Sequence, residues 1–366
     1  MRILQLVTRR QYRGAEVFAS LLSTGLAERG HEVAFVGLYP APETELTAPG
    51  CSNQDLGGNA GAKFSPKLLR TLVRYYDDYR PDIIQANGSD TLKYSVALKL
   101  LRPSARVVYR NISIISQWIR SSLQLRLQRW MFGRIDYVTS VSDESRQDFV
   151  RTLQYPEDRI ATVRRGIDTE ARLDRRAERE RLGVDYPVVA LVGKLSVEKN
   201  HRFLIDCVQR LGDRLPTLHL WFVGDGPMRE ELETYAQASG LKDRIRFWGV
   251  HSEIAPFLAA ADALAIVSTV EGIPGVILEG AIQGTPTVAV DVGGVKEVLK
   301  DDVTGLLVPS HDLEAYAGAL ASILENDDLR RRLGEQARQN VRRDYAIDRA
   351  VTTFEQIYGD VLHQRP

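Results

Sequence analysis

The chain alternates short β-branched runs with longer stretches whose apolar residues recur at helical spacing. That alternation is the signature of βαβ units feeding parallel sheets. In the first half, "RILQLV", "EVAFVGL", "DIIQA", "ARVVYR" and "YVTSVS" predict strands, and Ala15 to Arg29, stopped by Gly30, predicts a helix. In the second half, strands are predicted at "VVALVGK", "HLWFVGDG", "IRFWG", "ALAIVST", "TPTVAV" and "GLLV". Between them lies "GIDTEARLDRRAERERLGVDYP", polar and charge-dense with no strand pattern, which places a boundary within residues 168–187. We therefore expect two α/β domains of the doubly wound type, over residues 1–168 and 169–344. The tail 345–366 reads as a closing helix that packs back on the first domain. Ligands of such sheets bind outside the C-terminal ends of the strands, and two facing sheets make a cleft.

Composition narrows the class. Hydrophobic residues make up 44% and charged residues 26% of the chain, which fits a folded globular protein and excludes a disordered one. Cys51 and Cys207 lie far apart and the histidines are scattered, so neither a disulfide framework nor a zinc site is expected, and a reducing cytoplasm is the default. The start "MRILQLVTRRQYRG" reads as a first strand rather than a signal peptide, and "FLAAADALAIVSTV" is too short for a membrane span and carries Asp262. The net charge of zero hides an asymmetry: residues 1–168 carry an excess of 7 basic residues and the remainder an equal acidic excess. A basic half suits anionic partners, and ordinary scatter between two domains accounts for it equally well.

Candidate chemistry collects at predicted strand ends. After "VVALVG", Lys194 and Lys199 flank a short loop ahead of a helix, where they would suit a diphosphate or simply be solvated. "WFVGDGPMREEL" repeats the strand, glycine turn and helix, with Pro227 at the helix start. In "VEGIPGVILEGAIQG" an exit loop leads into an apolar helix whose free N-terminal N–H groups favour phosphate. Gly272 and Gly275 let the backbone approach a ligand. Glu279, one turn in and among apolar neighbours, is expected to be buried and to have a partner. Its two acceptor oxygens match a ribose diol, and Glu271, before the turn, would meet a second set of hydroxyls.

The spacing of Glu271 and Glu279 resembles the E-x7-E motif of the retaining glycosyltransferases of family 4, which have the GT-B fold. The resemblance runs over nearly the whole chain: "RGAE" is similar to the family's G-G-A-E, "RRGID" to N-G-I-D and "GKLSVEKN" to G-R-L-x-x-x-K-G, with "VGDGP", "FWGV", "VGGVKEV" and "TGLLV" following in family order. It implies a retaining transfer from a nucleotide diphosphate sugar to a hydroxyl of a sugar or lipid-linked acceptor. Lys194 and Lys199 would neutralise the donor diphosphate, Glu279 would hold the ribose, and Glu271 would contact the transferred sugar with the backbone of Gly272, Ile273, Pro274, Gly275 and Val276. Gly14 would approach the donor phosphates and Val250 the base. Arg13 stands in place of the family's first glycine and Lys194 in place of its arginine. Arg110 stands where many members carry a histidine that reaches the sugar, and Asn87 where a histidine is frequent. Asn87, Arg110 and Asn111 thereby mark the sugar and acceptor end.

No D-x-D occurs in the chain, so positive charge from Lys194, Lys199 and helix ends takes the place of a bound metal, and no cofactor is expected. With no evident general base, the family's front-face mechanism, in which the donor phosphate takes the acceptor's proton, is implied. Trp118 to Arg134 reads as one basic amphipathic helix, either half-buried in the domain or resting on an anionic membrane at its cytoplasmic face. The expected role is envelope polysaccharide or glycolipid assembly. A nucleotide-sugar epimerase and a degenerate nucleotide-sugar-binding protein remain alternatives. A nucleic-acid partner is not expected, for want of a binding module.

Overall fold

In a computed structural model that describes residues 1–41, 45–59, 64–170 and 172–363, every strand among the described residues joins one of two all-parallel sheets. The first sheet holds β1 (Arg2–Val7), β2 (Glu32–Gly37), β3 (Ser52–Asp55), β4 (Ile83–Asn87), β5 (Val107–Asn111), β6 (Tyr137–Ser140) and β7 (Ile160–Thr162), in the order β3-β2-β1-β4-β5-β6-β7. The second holds β8 (Val188–Val192), β9 (His219–Val223), β10 (Ile245–Gly249), β11 (Ala263–Ile266), β12 (Thr287–Val290) and β13 (Gly305–Val308), in the order β10-β9-β8-β11-β12-β13. Each order reverses direction beside its first strand, the doubly wound arrangement. Contacts divide the chain into one unit of residues 1–168 plus the segment from Ala346, and a second of residues 169–345.

Both sheets are covered on both faces, which is why their central strands are mostly apolar rather than alternating. In the first unit, Leu4, Leu6, Val36 and Ile84 pack on one side with Leu68, Leu92 and Phe149. On the other side Ile3, Ile83 and Val108 meet the helices Gly14–Glu28 and Ile347–His363 through Phe18, Leu22, Phe354 and Tyr358. In the second unit, Val189, Leu191 and Phe222 face one core and Val188, Ala190 and Trp221 the other.

The differences from the sequence reading have local causes. Strand β3 is "SNQD", polar because it lies at the sheet edge and its side chains bond to loops: Asp55 accepts from Arg10 and from the Ala41 N–H. Strand β7, only three residues long, closes the opposite edge. The first helix begins at Gly14 and stops where Gly30 turns to φ +84°. The stretch Trp118–Arg134 is not one helix. A 3₁₀ turn over Ile115–Trp118 is followed by a separate helix, Ser122–Phe132, because the Ser121 hydroxyl caps it by accepting from the Gln124 N–H at 3.2 Å. Pro227 lies in a turn ahead of the helix Arg229–Ala238 rather than in its first turn. The charged linker contains a short helix, Arg175–Leu182, capped by Asp174.

Candidate functional site

In the second unit the loops leaving β8, β9, β10, β11 and β12 are tied to one another by backbone hydrogen bonds. The Gly193 N–H donates to Val223 O at 2.9 Å, Leu195 N–H to Asp225 O at 3.1 Å and Gly224 N–H to Gly249 O at 2.8 Å. Thr269 N–H donates to Glu198 O at 2.8 Å and Gly294 N–H to Gly272 O at 3.0 Å. The result is one continuous rim at the C-terminal edge of the sheet. Two glycines make it possible: a Cβ on Gly224 (φ +142°) would overlap Gly193 O, and one on Gly293 (φ +52°) would overlap Glu271 O. Neither position admits another residue without moving a loop.

On this rim Lys199 Nζ meets Glu271 Oε1 at 2.5 Å, and Ser268 Oγ donates to the same oxygen at 2.6 Å. Lys199 comes from the 3₁₀ turn Val197–Lys199 after β8, and Glu271 and Ser268 come from the exit of β11. Glu271 is nearly buried and Lys199 about a quarter exposed, so the pair is partly screened but held in place. Lys194 sits exposed at the exit of β8. Glu198 stands with both lysines, and its carboxyl is lowered first by the Ser196 hydroxyl and then by Lys194 and Lys199. Beneath the rim, burial with the nearby Lys199 charge pushes the His201 imidazole down to about 4, so this ring is neutral at pH 7.

Immediately after Glu271 the chain enters the helix Gly275–Gln283 through Gly272, Ile273 and Pro274. Among the described residues no side chain caps that helix end and its first turn carries no acid. Its free N–H groups and dipole therefore offer positive potential to an anion. Glu279 lies one turn in, beyond Gly275 and Val276. It is half-buried and engaged with neighbouring groups, not buried as its apolar neighbours suggest, because Ile277, Leu278 and Ala281 take the core side of the helix. Val250, just past the end of β10, is 79% exposed.

The first unit brings together the remaining sequence candidates. Parallel register sets Asn87 beside Arg110 on adjacent strands, with Asn111 next along β5. All three are buried. The Asn87 amide donates to Gln5 Oε1 at 3.0 Å and that of Asn111 to Ser140 Oγ at 3.2 Å. The Arg110 guanidinium lies 3.5 Å from the Phe18 ring centroid, under the helix that starts at Gly14. Arg13 occupies the N-cap position of that helix without capping it through its side chain.

The architecture matches solved structures closely. That of HepE from Anabaena in complex with UDP-glucose superposes with a TM-score of 0.84 at 20% identity, over 98% of this chain and 100% of that one. Residues 12–171 match the family model described as Glycosyltransferase Family 4, and residues 174–340 match Glycosyl transferases group 1. The alpha-D-kanosaminyltransferase of Streptomyces kanamyceticus is 32% identical over 269 residues, 70% of this chain and 69% of that protein. The chain belongs to the GT-B glycosyltransferases. The lipopolysaccharide core biosynthesis glycosyltransferase LpsE of Rhizobium meliloti is 36% identical over 157 residues, 43% of this glycosyltransferase and 45% of LpsE.

Ser268 is a residue of this glycosyltransferase that sequence reasoning passed over. A hydroxyl three residues before a singled-out glutamate in an exit loop was the available signal. Glu198 was hidden in the same way, one position before Lys199.

Proposed function

We propose that this glycosyltransferase moves a sugar, with retention, from a nucleotide diphosphate sugar to a hydroxyl of a saccharide or lipid-linked acceptor in envelope polysaccharide or glycolipid synthesis. The observation that carries the reading is the Lys199–Glu271–Ser268 cluster beside the uncapped start of the helix Gly275–Gln283, with Glu279 one turn in. The diphosphate is taken by Lys194, Lys199 and the N–H groups of Gly275 and Val276, the ribose diol by Glu279 and the base by the backbone at Val250. Glu271, once Lys199 has turned to the phosphates, accepts from hydroxyls of the donor sugar. In the first unit, Gly14 and Arg13 are assigned to the donor phosphates and Asn87, Arg110 and Asn111 to the sugar and acceptor by their place in the family's motifs.

In the reaction the bond from the anomeric carbon to the phosphate oxygen breaks and the acceptor oxygen bonds to the same face. The departing phosphate oxygen takes the acceptor proton. Charge growing on the leaving diphosphate is met by the two lysines and the helix end, with no metal required. The donor class is supported by the UDP-glucose in the HepE structure, and the envelope role by the similarity to LpsE, a lipopolysaccharide core biosynthesis glycosyltransferase.

Attachment to the inner face of an anionic membrane is part of the same proposal. Among the described residues no helix is long and apolar enough to cross a bilayer. The helix Ser122–Phe132 instead turns Leu123, Leu127 and Trp130 outward on one face, while Leu125 and Met131 pack on the core. Leu123 is 71% and the neighbouring Trp118 64% exposed, with Arg120 and Arg126 exposed among them. An outward apolar stripe set among arginines suits an anionic lipid surface.

Calorimetry with UDP, GDP and ADP tests the donor site. One of them binds, and Glu279→Ala weakens it by about 1.5–3 kcal/mol, the worth of hydrogen bonds to a charged group. An unchanged Kd would make Glu279 a structural residue. Turnover in EDTA and the anomeric configuration of the product, read by NMR, test the metal-free and retaining parts; loss of activity restored by Mg²⁺, or an inverted product, overturns them.

A further inference from the structure

The face of the first sheet beneath the helices Gly14–Glu28 and Ile347–His363 should be apolar, and at Ile3, Ile83 and Val108 it is. Two residues along the strands it changes character. Register places Gln5 against Gln85, and then Asn87, Arg110 and Thr139 side by side at the ends of β4, β5 and β6. These five side chains are 5% exposed or less, and each carries an atom with no hydrogen-bond partner among the described residues: Gln5 Nε2, Gln85 Nε2, Asn87 Oδ1, Arg110 Nη1 and Thr139 Oγ1. Buried polar groups are ordinarily satisfied, so five open positions in one row mark a place built to receive something polar.

Arg110 decides the sign of that partner. Among the described residues no carboxylate pairs with it; its ionisable neighbours are Arg165 and Tyr358. Burial, then repulsion from Arg165, pushes its guanidinium down to about 9, still a cation at pH 7. Arg165 Nη1 in turn lies where a Cβ on Gly14 would be 3.4 Å away, so two guanidinium groups converge at the start of a helix whose dipole is also positive there. The one acid of that helix turn, Glu16, accepts from Gln11 at 3.5 Å. Arg110 is thus a buried cation with no carboxylate beside it among the described residues, close to a helix start that is itself positive.

We propose that Arg110 receives an anionic substituent carried by one of the two sugars, so that the substrates include an acidic saccharide. The guanidinium fork matches a carboxylate or phosphate in two parallel bonds, and Asn87 Oδ1 and Thr139 Oγ1 supply partners for adjoining hydroxyls. The inference rests on the reading of the chain as a sugar transferase and names the charge of what it transfers or extends.

Titration calorimetry of the full chain separates the sources. UDP-glucuronic acid against UDP-glucose examines the donor; free D-glucuronate and D-glucose 6-phosphate against D-glucose, both alone and with the nucleoside diphosphate that binds, examine the acceptor. In one arm the anionic sugar binds at least tenfold more tightly than the neutral one, and Arg110→Met abolishes that preference while nucleoside diphosphate affinity stays unchanged. Arg110→Lys, which keeps the charge without the fork, retains a preference reduced severalfold and decides the matter if the methionine variant does not fold. No preference in either arm, or a preference that survives Arg110→Met, overturns the proposal. Failure of every nucleoside diphosphate to bind instead sinks the donor reading, and the free-sugar arm still judges Arg110.

Discussion

At the rim of the second sheet the cation Lys199 already has an anion, Glu271, at 2.5 Å. At the corresponding strand ends of the first sheet the cation Arg110 lies buried against Phe18 with a second arginine for a neighbour. The two ends share a topology and differ in how charge is balanced. A paired lysine at a partly exposed rim can exchange one oxygen partner for another at little cost, since both states are satisfied. A buried arginine without an anion gains more from a ligand, and is correspondingly selective about its charge. On the reading proposed above, the second unit would grip what every donor of its class shares, and the first unit would choose among sugars.

The largest effect that tests this division falls on Lys199. If it meets charge that grows on the leaving diphosphate, Lys199→Ala lowers kcat by about 10²–10³-fold, as does loss of one preorganised donor to a developing oxyanion, while KM moves less. The substitution also strips Glu271 of its ion pair, so thermal unfolding of the variant belongs beside the kinetics. A large fall in melting temperature with kcat intact would make the pair a structural tie and break the comparison at its better-defined end.

How much of each end was legible in the sequence follows from the same contrast. The second rim is written locally: Glu271, the glycines after it and Glu279 lie within one loop and one helix, and Lys199 follows its own strand by a short turn. All eleven predicted strands are present and begin within two residues of those observed for the same reason, each being a mostly buried run bounded by turn residues. What escaped was written by tertiary pairing. Strand β3 has no apolar signal because its partners are the Arg10 guanidinium and loop N–H groups. The row from Gln5 to Thr139 spans four strands and exists only once register is known. The half-exposure of Glu279 likewise depends on which helix face meets the core, something its apolar neighbours misstate.

A smaller effect sharpens the surface side of the comparison. The basic excess of the first half gathers partly around the outward stripe of Leu123, Leu127 and Trp130. Arg120 and Arg126 are exposed, whereas Arg129 donates to Thr152 O at 3.0 Å and Arg134 to Trp130 O at 2.8 Å, so only the first two can be changed without touching the fold. At roughly 1 kcal/mol per basic side chain near an anionic surface, Arg120→Gln with Arg126→Gln weakens vesicle binding by about 30-fold. Co-sedimentation with phosphatidylserine-containing vesicles at low and high salt is the measurement. Wild-type protein that stays in the supernatant at low salt removes the membrane from the proposal and leaves the stripe unexplained.

The smallest effect concerns Ser268, and it asks whether Glu271 is held or merely present. The Ser268 hydroxyl is buried and donates to Glu271 Oε1 at 2.6 Å, the same oxygen that Lys199 contacts. On the proposed reading, Lys199 turns toward a diphosphate and Ser268 is the bond that remains, fixing the carboxylate while its second oxygen meets the sugar. A hydrogen bond to a charged group is worth about 1.5 kcal/mol at the low end, which makes Ser268→Ala a loss of about tenfold in kcat/KM. Nucleoside diphosphate affinity is expected to stay the same, because the Ser268 hydroxyl bonds to Glu271 and is not among the groups proposed for the ribose or the phosphates. A general loosening of the rim would lower both. The double-mutant cycle with Glu271→Gln separates the cases: if Ser268 acts through Glu271, the two losses are far from additive, with a coupling of 0.5 kcal/mol or more. Additive losses would show that Ser268 supports the loop on its own account and that Glu271 is oriented by Lys199 alone.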